Sequence, residues 1–288
     1  MCKVSVAIAS YNGAKFLREQ LDSLYNQTLI PDEIFVSDDC SNDGTTEILE
    51  EYHQTKGLRY VINEHNLGFN KNFENALKNT TSEFIMICDQ DDIWMPEKVE
   101  VMVNAIKNHD CSKPVLVCSS TKDYMDGKVI RVNTRPKASW MQLLYGNNTQ
   151  GCCSIINREL LNKALPIDVP KGALYDGYLG LIAAMTGEWE CIGTPLMYYR
   201  HHANNVMANK DKRKDLYPNI FAADRFILMN DIEAKYSNEF IEERRVIFNK
   251  VKSLQHKKGK ISRIIAAAGL TKVPFVTRLK CIVKICLQ

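Results

Sequence analysis

Three carboxylates fall within four residues at Asp89-Gln90-Asp91-Asp92, directly after the apolar run Phe84-Ile85-Met86-Ile87-Cys88. Acids packed this closely at a strand end repel one another unless positive charge compensates them. A divalent cation is the natural partner. Mg2+ and Mn2+ take few carboxylates together with phosphate oxygens, which suits an open diphosphate site better than a closed protein cage. The alternative for the bare cluster is a solvated acidic turn that caps the next helix. Its placement argues for a site, because Ile93-Trp94-Met95-Pro96 follows it and two further polar loops, at Ser10-Tyr11-Asn12 and Asp38-Asp39, leave neighbouring strand patterns.

Those loops need a layered scaffold. Val4 to Ala9 reads as a buried strand, ended by Asn12-Gly13 and followed by a helix over Ala14 to Tyr25 with Phe16, Leu17, Leu21 and Leu24 on one side. Glu33 to Ser37 is a second strand. The polar loop from Asp38 to Gly44 then offers Ser41 and Asn42 as the cap of a helix running through Tyr52. Leu58 to Ile62, a helix from Asn66-Leu67-Gly68 to about Asn79, and a strand over Glu83 to Cys88 complete an α/β alternation in which every polar loop leaves the carboxyl end of a strand. Beyond Pro96 the pattern gives a helix over Glu97 to His109, a strand over Val115 to Ser119, a polar excursion from Lys122 to Lys137, a helix over Asp176 to Met185 and a strand at Trp189 to Ile192. From Leu216 onward it is helical and basic.

With 288 residues and 45% apolar content the chain can bury a substantial core. A net charge of +3 gives no chain-wide case for nucleic acid. The N-terminal residues lack a signal-peptide pattern, and no window reaches the roughly 18 apolar residues of a spanning helix. The ten cysteines form no repeated CxxC, which points to a reducing, cytoplasmic compartment with most thiols packed as small core residues.

In their order and spacing, six segments resemble family 2 glycosyltransferases of the GT-A fold, and within them the bacterial rhamnosyltransferases. They are Ala9-Ser10-Tyr11-Asn12, Asp38 to Thr45, Asn66-Leu67-Gly68 with Asn72, Asp89 to Trp94, Tyr175-Asp176, and Tyr199-Arg200-His201-His202-Ala203-Asn204-Asn205. The resemblance covers about residues 4 to 206. It implies a Rossmann-like nucleotide-binding sheet with helices on both faces, divided into a nucleotide-binding half (1–110) and an acceptor-binding half (111–215), with a basic helical region over 216–288.

It also implies roles. Ala9, Ser10 and Tyr11 line the base and ribose, and Asp39 accepts from a pyrimidine N3–H; helix capping is the competing role for that loop. Lys71 stands where the family often has Arg, able to reach the diphosphate or base, or else to serve as a solvated helix charge. Asp89 serves the ribose or donor sugar, Asp91 holds the Mg2+ or Mn2+ ion, and Asp92 stands nearby as support or as a second ligand. Trp94 forms an apolar wall for a sugar face or simply packs in the core. His202 approaches the metal from a segment in which His201 replaces the usual Gln, and Arg200 neutralises phosphate. Asp176 is the general base on the acceptor hydroxyl, or a helix cap; Tyr175 and Tyr178 replace the family's His and Trp beside it.

The implied reaction is an inverting, metal-dependent transfer of a sugar, L-rhamnose from dTDP-L-rhamnose ahead of UDP-hexoses, to a saccharide or lipid-linked acceptor in cell-surface polysaccharide synthesis. Beyond Glu243 no Asp or Glu occurs while Lys and Arg recur among Ile, Leu, Val and Phe, which fits either peripheral contact with the inner face of the cell membrane or a packing helix. Two rivals remain: a nucleotidyltransferase, whose Gly-rich basic loop Ala9 to Lys15 matches poorly, and a non-catalytic carbohydrate-binding scaffold, against which the intact acids argue.

Overall fold

Strand and helix alternate through the first ninety residues: β1 (Val4–Ser10), α1 (Ala14–Tyr25), β2 (Glu33–Asp38), α2 (Thr45–Lys56), β3 (Arg59–Ile62), α3 (Phe69–Lys78) and β4 (Phe84–Asp89). The chain continues through β5 (Ile93–Trp94), α4 (Lys98–Ile106), β6 (Val115–Met125), β7 (Lys128–Asn133), β8 (Ser154–Asn157), α5 (Arg158–Ala164), α6 (Tyr175–Thr186), β9 (Glu188–Arg200), α7 (Ala223–Tyr236) and α8 (Glu242–Lys252). The structure is a computed structural model that describes residues 3–134, 140–144, 149–170, 173–202 and 223–252. The basic tail beyond 252 and the Ala203-Asn204-Asn205 end of the last motif lie outside the described residues.

The strands form one mixed sheet in the order β3-β2-β1-β4-β8-β6-β9-β5, with β7 paired to β6 outside that path. β1, β2, β3 and β4 run parallel, with Ala9 beside Ser37 and Asp89, and Ser10 beside Asp38. This register brings the first polar loop, the Asp38-Asp39 loop and the acidic cluster to one edge of the sheet. Beyond β4 the sheet turns mixed, because β8 lies antiparallel to both β4 and β6.

The central strands are buried on both faces, so their apolar residues alternate between two cores. Ile85 and Ile87 of β4 pack with Ala7, Phe73 and α6, while Phe84, Met86 and Cys88 pack with Val6, Ile8, Leu21 and α4. Leu228, Met229, Ile232, Phe248 and Val251 of α7 and α8 join the first of these cores.

Several expected elements change. The helix expected to be capped by Ser41 and Asn42 starts at Thr45 behind Gly44, whose φ of 92° is left-handed, and Asp43 Oδ1 accepts from Thr45 N at 3.1 Å. Ser41 instead donates its hydroxyl to Asp38 Oδ2 at 2.7 Å. The polar excursion expected after Ser119 is a hairpin, in which β6 runs to Met125 and returns through Asp126-Gly127 as β7; both turn residues have positive φ, 48° and 78°. The short strand expected near Trp189 extends to Arg200, because its partners β6 and β5 continue to meet it as far as Tyr124 and Ile93.

With Ile87 1% exposed on a central strand, Ile87→Ala removes most of a buried side chain from a core closed on that face. The expected loss is about 2–5 kcal/mol, read as a lower denaturant midpoint at unchanged slope.

Candidate donor and acceptor site

The site begins with a side chain that acts as a peptide group. Gln90 Oε1 accepts from Tyr11 N at 2.8 Å and Gln90 Nε2 donates to Tyr11 O at 3.0 Å. The carboxamide thus extends the pairing of β1 with β4 by one rung, beyond Ala9 and Asp89. Gly13 makes room for it, since a Cβ there would sit 2.2 Å from Gln90 Oε1. Asn12 adopts φ 49°, a left-handed conformation that Asn tolerates, and its side chain accepts from Asn42 N at 3.0 Å. Tyr11 is 49% exposed at the front of this loop, while Ser10 is buried and donates to Asp38 Oδ2 at 2.7 Å.

Asp39 is 2% exposed and organises the next loop. Its Oδ1 accepts from Leu67 N at 2.8 Å and Asn63 Nδ2 at 2.9 Å, and its Oδ2 accepts from Gly68 N at 2.9 Å. Asn63 further donates to Asn72 Oδ1 at 3.0 Å, and Asn72 donates to Ser10 O at 3.1 Å, so a buried amide network locks the first loop to the Asn66-Leu67-Gly68 turn. Lys71, next to Asn72 on α3, has its ammonium held by Glu74 Oε2 at 2.7 Å and Ile167 O at 2.8 Å rather than aimed at the loops.

The acidic cluster divides into two groups. Asp91 pairs with His202, Nε2 to Oδ2 at 2.8 Å. Asp89 and Asp92 sit inward with Cys152, one ligand atom from each lying within 4.8 Å of the others. At that spacing two ionised carboxylates repel by roughly 3 kcal/mol at an effective dielectric of about 20. Burial, then the charges of Asp91 and Asp176, pushes the Asp89 carboxyl up to about 8. Burial, then Asp91 and Asp89, holds Asp92 well above the usual carboxylate range, with the Arg200 amide opposing. Asp92 is fully buried; its Oδ1 accepts from Arg200 N at 3.0 Å, and among the described residues its Oδ2 has no hydrogen-bond partner.

Positive charge surrounds the cluster. Arg200, at the end of β9, donates from Nε to Asp91 O at 2.8 Å and from its terminal nitrogen to Glu19, with its guanidinium over Phe16 and Tyr124. His202 also lies against Phe16, ring centroids 4.4 Å apart. Beneath, Lys98 is fully buried, 2.7 Å from Cys152 O. Burial lowers its ammonium, and nearby Cys153, Cys152, Cys88 and Asp92 oppose that shift.

Among the described residues a divalent ion would find ligand atoms of Asp89, Asp92 and Cys152 within 4.8 Å of one another, with Asp92 Oδ2 lacking a hydrogen-bond partner there. Asp91 Oδ2 and His202 Nε2, expected as ligands, are instead joined to each other at the hydrogen-bond distance of 2.8 Å. Trp94 does not form a sugar wall. It is 2% exposed, with its ring facing Lys98 Nζ at 3.7 Å, so the packing alternative holds for this residue.

Asp176 lies in the first turn of α6. Its Oδ2 accepts from Gly151 N at 3.2 Å and its Oδ1 from Gly177 N at 2.6 Å. The start of α6 is fixed by Asn70, which accepts from Tyr175 N at 3.0 Å and donates to Ala173 O at 3.0 Å. Tyr175 is buried, stacked on Phe73 with centroids 4.3 Å apart.

The structure therefore brings together at one sheet edge the Ala9-to-Tyr11 loop, Asp39, Asp89, Asp91, His202, Arg200 and Asp176. Sequence reasoning gave no role to Gln90, Asn63 or Lys98. For Lys98 a signal existed: it lies four residues before Met102, on the face that Val99, Met102 and Ile106 bury, so the helical period already placed its stem inside.

Residues 5–165 match the sequence profile of glycosyl transferase family 2. The uncharacterized protein Rv1520 of Mycobacterium tuberculosis (strain ATCC 25618 / H37Rv) is 29% identical over 227 residues, which are 73% of this chain and 63% of that protein, so the chain spans less than two thirds of that relative's length. The dTDP-rhamnosyl transferase RfbG of Shigella flexneri is 28% identical over 217 residues, 69% of this chain and 72% of RfbG. Among solved structures, S. aureus TarS 1-349 in complex with UDP-GlcNAc superposes with a TM-score of 0.65 at 21% identity, covering 96% of this chain and 82% of that one. Mannosyltransferase PcManGT from Pyrobaculum calidifontis, in complex with GDP-Man and Mn2+, gives 0.60 at 19% identity, covering 98% and 79%. Matching over more than half its length, and folded like these GT-A structures, the chain belongs to glycosyl transferase family 2.

Proposed function

We propose that this protein transfers a sugar from a nucleotide diphosphate donor to a hydroxyl of a saccharide or lipid-linked saccharide, with inversion at the anomeric carbon. The observation that carries this reading is the meeting of the acidic turn with the first turn of α6. The charge of Asp176 reaches Asp89 at the end of β4, while the Gly151 amide holds Asp176 Oδ2 at 3.2 Å. A carboxylate poised across from a donor-binding carboxylate is the arrangement a single displacement needs.

In this reading the loop of Ala9, Ser10 and Tyr11 receives the base and ribose, with Tyr11 as the exposed aromatic. Asp39 holds the neighbouring turn and keeps lone pairs for the base, since a carboxylate offers about four acceptor sites and three are used. Asp89 contacts the donor sugar, and Asp91 with His202 binds the divalent ion, Mg2+ or Mn2+. Bound there, the ion stabilises the negative charge left on the departing diphosphate. Arg200 adds positive potential on the same side and fixes Asp91 and Asp92 through its own bonds. Asp176 takes the proton of the acceptor hydroxyl as that oxygen bonds to the anomeric carbon and the sugar–phosphate bond breaks.

The donor is proposed to be dTDP-L-rhamnose, with UDP-hexoses as the competing class. Support comes from the motif pattern and from RfbG, which bears that activity in its name. A thermal-shift panel of nucleotide sugars with and without Mn2+ tests this directly. The rhamnose donor should raise the melting temperature most, and a larger shift with UDP-hexoses would overturn the assignment.

Three further outcomes follow from the assigned roles. Asp91→Ala should lose the Mn2+-dependent part of the donor-induced shift and all turnover, and full wild-type activity in chelator would remove the ion from the mechanism. Asp176→Asn should bind donor normally yet lose about 10²–10⁴ in kcat. Truncation of residues 255–288 should abolish binding to anionic liposomes if the basic tail meets the membrane, and unchanged binding would sink that idea.

A further inference from the structure

Among the described residues Lys98 is the only lysine or arginine in the buried core. Removing an ammonium from water costs several kcal/mol, and a methionine of similar length would pack at this position without that cost. Among the described residues no carboxylate is hydrogen-bonded to it. Its ammonium donates to Cys152 O at 2.7 Å, lies 3.2 Å from Met197 Sδ, and stands 3.7 Å over the Trp94 ring. Charge on this lysine is therefore directed chiefly at one backbone carbonyl.

That carbonyl belongs to the short turn Gly151–Cys153, which lies between the acidic cluster and α6. On one side Cys152 presents its thiol to Asp89 and Asp92. On the other, Gly151 N donates to Asp176 Oδ2 at 3.2 Å, and a Cβ on Gly151 would come within 2.0 Å of Tyr175 Oη. Within and beside the turn Cys153 N donates to Gln150 O at 3.1 Å, Ser154 N to Gly151 O, Ser154 Oγ to Gln150 O at 2.8 Å and Cys153 Sγ to Gln150 Oε1 at 3.4 Å. The turn leads into β8, and Lys98 adds a hold from below at its middle residue, through Cys152 O.

We infer that Lys98 is a positioning residue for Asp176: by holding Cys152 O it sets the Gly151 amide, and through that amide the carboxylate that faces the donor. The inference rests on Asp176 being the base. Displacing a catalytic group by about an ångström costs on the order of a hundredfold. Lys98→Met should accordingly lower kcat by about tenfold to a hundredfold while leaving the donor KM within about threefold.

A double variant decides the route. If Lys98 acts through Asp176, Lys98→Met combined with Asp176→Asn should be no slower than Asp176→Asn alone, because no base remains to be positioned. Wild-type kcat in Lys98→Met overturns the inference, as does a double variant in which the two losses multiply, or a Lys98→Met whose whole effect is a raised donor KM. A normal kcat in Asp176→Asn overturns the base assignment and the inference together, whereas a slow Asp176→Asn beside a normal Lys98→Met overturns the inference alone. If Lys98→Met gives no cooperative melt, Gly151→Ala takes its place, leaving Lys98 intact while the added methyl forces the turn off Tyr175. Lost kcat with retained donor KM then supports the inference, and full kcat overturns it.

Discussion

Negative charge concentrated at the end of a buried strand is the constraint around which this protein is arranged. β4 delivers Asp89, Asp91 and Asp92 within four residues, and the mutual repulsion of even two of them is comparable to a sizeable share of a domain's net stability. Compensation comes from several elements at once. Lys98 lies beneath on α4, while Arg200 and His202 arrive from the end of β9. Neither Arg200 nor Lys98 forms a simple ion pair with the inner acids. Arg200 offers its backbone amide to Asp92, and Lys98 offers its ammonium to a carbonyl, so the inner carboxylates are left short of positive charge. In the proposed reaction, that shortfall would favour a cation carried in with the substrate.

The parallel part of the sheet, β1 to β4 with its helices, was largely legible in the sequence because each piece of it is local. Period-two and period-3.6 patterns placed β1 to β4 and their helices to within a few residues, and the Asn- and Gly-marked loops fell at strand ends as an open α/β sheet requires. The cap at α2 went to the wrong residue because Asp38, a buried acid, competes for Ser41 and leaves Gly44 to make the turn. Local propensity cannot see such a partner.

The second half was harder to read because its order comes from pairing between distant segments. Lys122 to Asn133 has no period of its own, yet it folds as a hairpin extending β6. Trp94 looked available as an aromatic wall, and is enclosed in the second core with Lys98 over its face. Lys98 was overlooked for a related reason: a lysine on an apolar helix face reads as a snorkelling surface residue until the carbonyl it reaches, 54 residues further along, is known.

β5 adds a mechanical consequence. These two residues follow the acidic turn at once and pair with Met197 and Tyr198 of β9, whereas β4 lies near the middle of the sheet. The turn is thus strung between a central strand and the far edge, with β8, β6 and β9 between its two anchors. Carboxylate spacing becomes a gauge of sheet curvature, so a small change of twist anywhere along those intervening strands is transmitted to the acids without breaking a single bond in their own loop.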